Sequence, residues 1–188
     1  MTRRANLCAR AHAWIAPALA PGATALDATC GNGHDTRFLA ESVAPGGCVH
    51  AFDVQPDALA SARERLTSGP GGVAAVWHQR DHSDIAAALG DSVCDAAMFN
   101  LGWLPGGDPT CITRPETTVA ALAGALAVLR PGGRLTVVCY RGHPGGAEEA
   151  EAVTQWLART PCAHRLVAEP AIVASAEAPQ LSVITRRR

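Results

Sequence analysis

The sequence predicts an α/β domain, a mostly parallel seven-stranded sheet with helices on both faces and a C-terminal antiparallel hairpin. Three observations predict it. Short apolar runs alternate with amphipathic stretches along the 188 residues. Clusters of glycine and proline separate them, and the last two strand-like runs follow one another without a helix between. Apolar strands joined through helices are buried on both faces, which is the mark of parallel pairing. With 48% hydrophobic residues the chain can bury one sizeable core, so residues 1–188 read as a single domain.

The elements follow in order. Leu7 to Leu19 has helical spacing and stops near Pro21-Gly22. Ala23 to Ala28 is a short apolar strand, His34 to Val43 a helix, and Cys48 to Asp53 a second strand after the turn Pro45-Gly46-Gly47. Pro56 to Leu66 places Leu59, Ala62, Arg63 and Leu66 at helical intervals, with Asp57 suited to the first turn. Gly69-Pro70-Gly71-Gly72 breaks the chain before a strand over Val73 to His78 and a helix over Ser83 to Leu89. Cys94 to Phe99 is a fully apolar fourth strand. Val119, Leu122, Leu126 and Leu129 mark a helix closed by Pro131-Gly132-Gly133, and Arg134 to Tyr140 is the fifth strand. Ala147 to Leu157 is a helix with Val153 and Leu157 inward. His164 to Val173 and Gln180 to Arg186 form the closing hairpin.

Composition narrows the function. All sixteen basic residues are arginine, which excludes Schiff-base lysine chemistry and the lysine-bearing phosphate loop. A net charge of -1 provides no global basic field for nucleic acid, although a local arginine patch would suffice. Arg3, Arg4 and Arg10 at one end and Arg186-Arg187-Arg188 at the other read, cluster by cluster, as solvated termini. Seven scattered cysteines, never spaced C-x-x-C, point to reduced thiols in a cytoplasmic protein. No apolar run is long enough to span a bilayer, and the arginine-bearing N-terminus lacks a signal-peptide core.

In such a sheet, ligands bind beyond the carboxyl ends of the strands. Asp27-Ala28-Thr29-Cys30-Gly31-Asn32-Gly33-His34-Asp35-Thr36 follows the first strand and opens a helix. Gly31 and Gly33 let the backbone approach a ligand, and Asp53, at the end of the second strand, can accept two ribose hydroxyls. Gln55 joins this set. The pairing suits a nucleoside-containing cofactor. Thr36 stands where a dinucleotide site carries a third glycine or alanine, and Asp35 is a poor neighbour for a pyrophosphate. Both fit cationic S-adenosylmethionine (SAM) better. A nicotinamide dinucleotide, or a purely structural glycine turn, is the alternative.

After the third strand, Asp81 and His82 can reach an adenine edge, while Ser83 and Asp84 suit a helix cap. His78 and His82 straddle a strand–loop boundary, so no metal site is expected. Beyond the fourth strand comes Phe99-Asn100-Leu101-Gly102-Trp103-Leu104-Pro105-Gly106-Gly107-Asp108. Amino-group methyltransferases resemble one another here, with Asn or Asp, a turn, then an aromatic ring. In that likeness Asn100 and the Leu101 carbonyl accept N–H groups of the target, and Trp103 stacks on a flat base or covers the methyl. The bland alternative is an exposed tryptophan capping the sheet.

GNGHDT, FNLGWLPGGD and YRGHPGG together resemble a family once described as rRNA methylases, whose studied bacterial members methylate tRNA carrying 5-aminomethyl-2-thiouridine at the wobble position. The likeness runs from His12 to the final hairpin, with Trp103 where the family usually has Tyr and Gly146 where it usually has Glu. It implies a Rossmann-like class I methyltransferase fold, SAM as cofactor and the tRNA anticodon stem-loop as partner, with no membrane and with homodimerisation left open. The N-terminal helix within residues 1–20 is expected near the cofactor cleft. The implied cofactor set is Asp27, Gly31, Asn32, Gly33, Asp35, Thr36, Asp53, Gln55, Asp81 and His82, with Trp103, Asn100 and Arg141 on the substrate side. An aliphatic amine must lose a proton before it can attack. His143 is the first candidate acceptor, or else holds its loop; Asp108 and Tyr140 follow, and Asn100 completes the catalytic set. Competing readings are a SAM enzyme acting on rRNA or a small amine, a non-catalytic RNA- or nucleotide-binding module, and an NAD-dependent reductase, disfavoured by Thr36 and the absence of Tyr-x-x-x-Lys.

Overall fold

The computed structural model describes residues 3–67, 69, 71–104, 106–108, 110–160, 164–168 and 178–186. Seven strands form one sheet: β1 (Thr24–Asp27), β2 (Cys48–Asp53), β3 (Ala74–Gln79), β4 (Cys94–Leu101), β5 (Leu129–Cys139), β6 (His164–Ala168) and β7 (Gln180–Arg186). Their order across the sheet is β3-β2-β1-β4-β5-β7-β6. Pairs among β1 to β5 are parallel, and β7 runs antiparallel to both β5 and β6. The helices are α1 (Arg3–Ile15), α2 (His34–Val43), α3 (Pro56–Thr67), α4 (Ile85–Leu89), α5 (Pro115–Val128) and α6 (Gly146–Arg159).

Side chains alternate faces along a strand, and that alternation divides the core. Leu26, Phe52, Ala97, Phe99, Leu101 and Val137 pack with Ile85, Leu122, Val153 and Leu157 on the face of α4, α5 and α6. Ala25, Val49, Ala96, Met98 and Val138 pack with Leu7, Ala11, Ile15, Leu39 and Val43 on the face of α1 and α2. The same parity sends Asp27, Asn100 and Tyr140, at the ends of β1, β4 and β5, to the α1 and α2 face. Among the close approaches that need glycine, two bear on the site. Gly33, with φ 76°, caps α2, and a Cβ there would lie 2.5 Å from the Cα of Ala62 in α3. At Gly146, a Cβ would lie 2.3 Å from the carbonyl oxygen of Tyr140.

Several expected boundaries move. The first helix begins earlier and ends at Ile15, with a 3-10 turn over Ala16–Ala18. β4 extends through Leu101, because Asn100 and Leu101 still pair with Val138 and Cys139. Pro131-Gly132-Gly133 does not precede the fifth strand but lies within it, at a register shift between Cys94 and Ala96 of β4. The expected continuation of the sixth strand to Val173 lies outside the described residues. Among the described residues, no helix is long and apolar enough to cross a membrane.

Candidate active site

A cavity opens beyond the carboxyl ends of β1, β2 and β4. Its wall includes Gly31, Asn32, Asp35, Asp53, Gln55, Asp81, His82, Asn100 and Trp103 from the sequence-predicted set. Asp53 sits at the end of β2 with its Oδ2 accepting the Gly31 N–H at 3.0 Å and its Oδ1 accepting the Gln55 N–H at 2.9 Å. Burial pushes this carboxyl up, and those N–H groups pull it back. Asp81 lines the cavity and also caps a 3-10 turn by accepting the Ser83 N–H at 2.8 Å, while Asp84 stands at the N-cap of α4 without a side-chain cap bond. His82 is buried, which lowers its imidazole pKa.

Three predicted cofactor residues stand behind the wall. Thr36 is fully buried and donates its hydroxyl to Asp27 Oδ2 at 2.6 Å. Asp27, itself buried, also accepts the Thr29 N–H. Gly33 provides the α2–α3 contact. Asp27, Gly33 and Thr36 thus hold the turn, and the cavity wall is made by their neighbours. Burial and the nearby Asp35 push the Asp27 carboxyl up to about 7.

α1 reaches over the site and contributes residues that motif reading passed over. His12 Nε2 lies 2.6 Å from Asp35 Oδ1, and the His12 ring stacks on Phe38 at 3.8 Å. Cys8 Sγ lies 3.8 Å from Asn100 Nδ2 and 3.7 Å from the Tyr140 hydroxyl. The Asn100 N–H donates to Thr29 Oγ1 at 2.8 Å. Val54, 47% exposed, and the half-buried Ile112 add apolar wall beside these polar groups. A solvent-facing valine directly after the strand-end Asp53 was the legible signal for a flat ligand there.

Trp103 is 41% exposed and pairs its backbone with Ile112 in an isolated antiparallel bridge. Its ring meets His143 edge-on at 5.1 Å. His143 sits behind Gly102 rather than in the wall: a Cβ on Gly102 would be 3.6 Å from His143 Nε2. His143 Nδ1 lies 2.9 Å from the Pro144 carbonyl oxygen. A carbonyl only accepts, so Nδ1 carries the proton and neutral His143 keeps its lone pair on Nε2. That Nε2 is buried without a hydrogen-bond partner among the described residues, and so is Asn100 Oδ1.

The second-choice bases fare differently. Asp108 is exposed and outside the cavity, its carboxylate accepting both the N–H and the hydroxyl of Thr110. Those bonds hold it below the usual carboxylate range, which makes it a poor base. Tyr140 and Arg141 also lie outside the wall. His78 turns away from His82, 3.1 Å from His50 and stacked on Phe52.

With this geometry in view, comparisons identify the relatives. Residues 49–186 match the family described as "Putative rRNA methylase". The chain belongs to this family. A member at 36% identity, a "putative rRNA-methylase" from Clostridium thermocellum, superposes with a TM-score of 0.88 over 96% of this chain and 97% of the other. A "putative methyltransferase" from Streptococcus mutans, solved in complex with SAH, is 31% identical with a TM-score of 0.82, covering 96% and 97%. The fold is therefore the Rossmann-like one of these methyltransferases. Arabidopsis thaliana has a curated relative, "tRNA (mnm(5)s(2)U34)-methyltransferase, chloroplastic", 38% identical over 76% of this chain. The chain spans about half, 56%, of that relative's length.

Proposed function

We propose that the protein is a SAM-dependent N-methyltransferase that converts the 5-aminomethyl group of (2-thio)uridine at the tRNA wobble position to 5-methylaminomethyl. The observation that carries this reading is the buried, unpartnered Asn100 Oδ1 in the wall of a nucleoside-type pocket, with a second such acceptor, His143 Nε2, behind Gly102. The name of the Arabidopsis relative and the SAH complex of the Streptococcus protein support it.

The pocket's charge fits the cofactor. Asp35, Asp53 and Asp81 line it, with Arg80 in the same wall and His12 beside Asp35, so three carboxylates face one arginine. Such unbalanced negative charge favours a cationic ligand. Asp53 and Gln55 would hold the ribose end, Val54 and His82 the base, and Asp35 the cationic end. When bound, SAM supplies the electrophilic methyl group. Asn100 Oδ1 takes an N–H of the acceptor and so aims its nitrogen. His143 Nε2 takes the proton that an ammonium must lose before its nitrogen has a lone pair. Trp103 offers an exposed ring on which an unpaired base can stack, and anticodon nucleotides are already single-stranded.

Purified protein incubated with SAM and tRNA lacking the final methyl tests this, with nucleosides read by mass spectrometry. Conversion of the aminomethyl to the methylaminomethyl nucleoside is expected. Methylation of rRNA or of a free amine instead would move the acceptor while keeping the enzyme class. No methyl transfer to any of the three would leave a binding module.

A further inference from the structure

Glu149 lies on α6 and is 1% exposed. Its two oxygens are each engaged by one hydroxyl: Oε2 accepts from Thr113 at 2.8 Å and Oε1 from Thr118 at 2.5 Å. No cation among the described residues forms an ion pair with it. Burial pushes its carboxyl up, while the threonine hydroxyls and His143 act against that. A buried carboxylate costs several kcal/mol after relaxation, and an apolar residue at this position would extend the Val153 and Leu157 face at no such cost.

The hydrogen bonds run in one direction. Thr113 has a single hydroxyl proton and gives it to Glu149, so its oxygen is left to accept the Gly102 N–H at 2.9 Å. The Thr113 N–H returns to the Gly102 carbonyl at 3.0 Å. Glu149 thereby holds the residue between the Asn100-Leu101 strand end and Trp103. One helical turn earlier on α6, a Cβ on Gly146 would fall 2.7 Å from His143 Nε2, so the space a side chain would take there is filled by the imidazole. α6 thus carries the seat of His143 on its first residue and the carboxylate on its fourth.

We propose that Glu149 is a positioning residue for methyl transfer, fixing the Gly102–Trp103 segment through Thr113 and favouring, by its charge, the imidazolium that His143 becomes on taking the acceptor's proton. The proposal rests on the methyltransferase reading above. The other titratable groups around this pair are Tyr140 and Arg141 in the segment of His143, and Cys139, which faces Glu149 from β5.

Glu149→Gln keeps the shape and can still satisfy both threonines, so a merely structural role would survive it. In the full chain, histidine-selective NMR is expected to show the His143 titration moved to lower pH in Glu149→Gln relative to wild type. With tRNA as acceptor, kcat is expected to fall about tenfold, the KM for SAM to hold, and the acid limb of the pH profile to move the same way. An unmoved titration overturns the charge role. Thr113→Val is expected to lower kcat while moving the His143 titration less than Glu149→Gln does, and normal kcat in that variant overturns the positioning role even if Glu149→Gln does not fold. Failure of wild type to methylate the tRNA would sink the functional reading instead, and the NMR arm does not depend on it.

Discussion

Asn100 Nδ2 lies 3.4 Å from Asp35 Oδ2, and this relationship sets which way the amide faces. A carboxylate only accepts, so the amide nitrogen turns to it and Oδ1 is left as an acceptor. Asp35 is held in turn by His12 on its other oxygen. The line His12, Asp35, Asn100 therefore orients the group that meets the acceptor amine.

Replacing Asn100 by Ala removes one aimed hydrogen bond and leaves the cofactor's contacts in place. Methyl transfer is expected to fall about 10- to 100-fold, as for a bond worth roughly 1.5–3 kcal/mol, with SAM affinity held within about threefold. Nucleoside mass spectrometry and calorimetry check the two halves, and full turnover by the variant would remove Asn100 from the site.

Asp53→Ala should do the opposite. The Asp53 carboxylate organises Gly31 and Gln55 and presents the remaining lone pairs to the cavity. SAM affinity is expected to drop about 10- to 100-fold, on the same scale for a charged hydrogen bond. Calorimetry with SAH reports this without any RNA present.

Trp103 is expected to act on the nucleic acid alone. Base–aromatic stacking is worth about 1–3 kcal/mol per base, so Trp103→Ala should raise the KM for tRNA roughly fivefold to a hundredfold. Trp103→Tyr keeps a ring and should stay near wild type. Equal KM values for the Ala and Tyr variants would mean that the ring only caps the sheet.

Asp27 gives a pH dependence of stability. Its carboxyl is pushed from 3.8 to about 7 in the fold, so between those values the unfolded chain has released a proton that the folded chain retains. Stability therefore falls as pH rises through that window and levels off above about 7. At about 1.4 kcal/mol per pH unit the group accounts for on the order of 4 kcal/mol. Asp53 and Glu149 are pushed the same way. The melting temperature of ligand-free protein should decline from pH 5 to pH 7, and Asp27→Asn should flatten that decline. A wild-type profile that rises over this range would contradict the assignment.

Much of the fold was legible because its signals are local. His34–Val43 and Cys48–Asp53 coincide with the expected helix and strand, since periodicity and flanking glycines mark both. Pro131-Gly132-Gly133 misled because the same residues that end a helix can also interrupt a ladder. Thr36 and Asp27 read as cofactor contacts because they lie in the glycine motif; in the fold both are buried, with the Thr36 hydroxyl on Asp27. Asp108 looked like a base only while its partner Thr110 was out of view.

Glu149 left a readable trace: it stands four residues before Val153 on the apolar stripe of its helix, where a charge is out of place. Its purpose was not readable, because Thr113 is 36 residues away. His12 and Cys8 were likewise hidden, being 23 and 92 residues from Asp35 and Asn100.

By itself, then, the sequence determined the order of strands and helices, the glycine turn and the kind of ligand that turn admits, because backbone conformation and side-chain alternation depend on near neighbours. Only the tertiary structure decided which acceptors are left unpaired, which carboxylates are buried together and which helix closes the site. Those properties arise when distant segments exclude water between them, and burial raises both the cost of charge and the worth of each hydrogen bond.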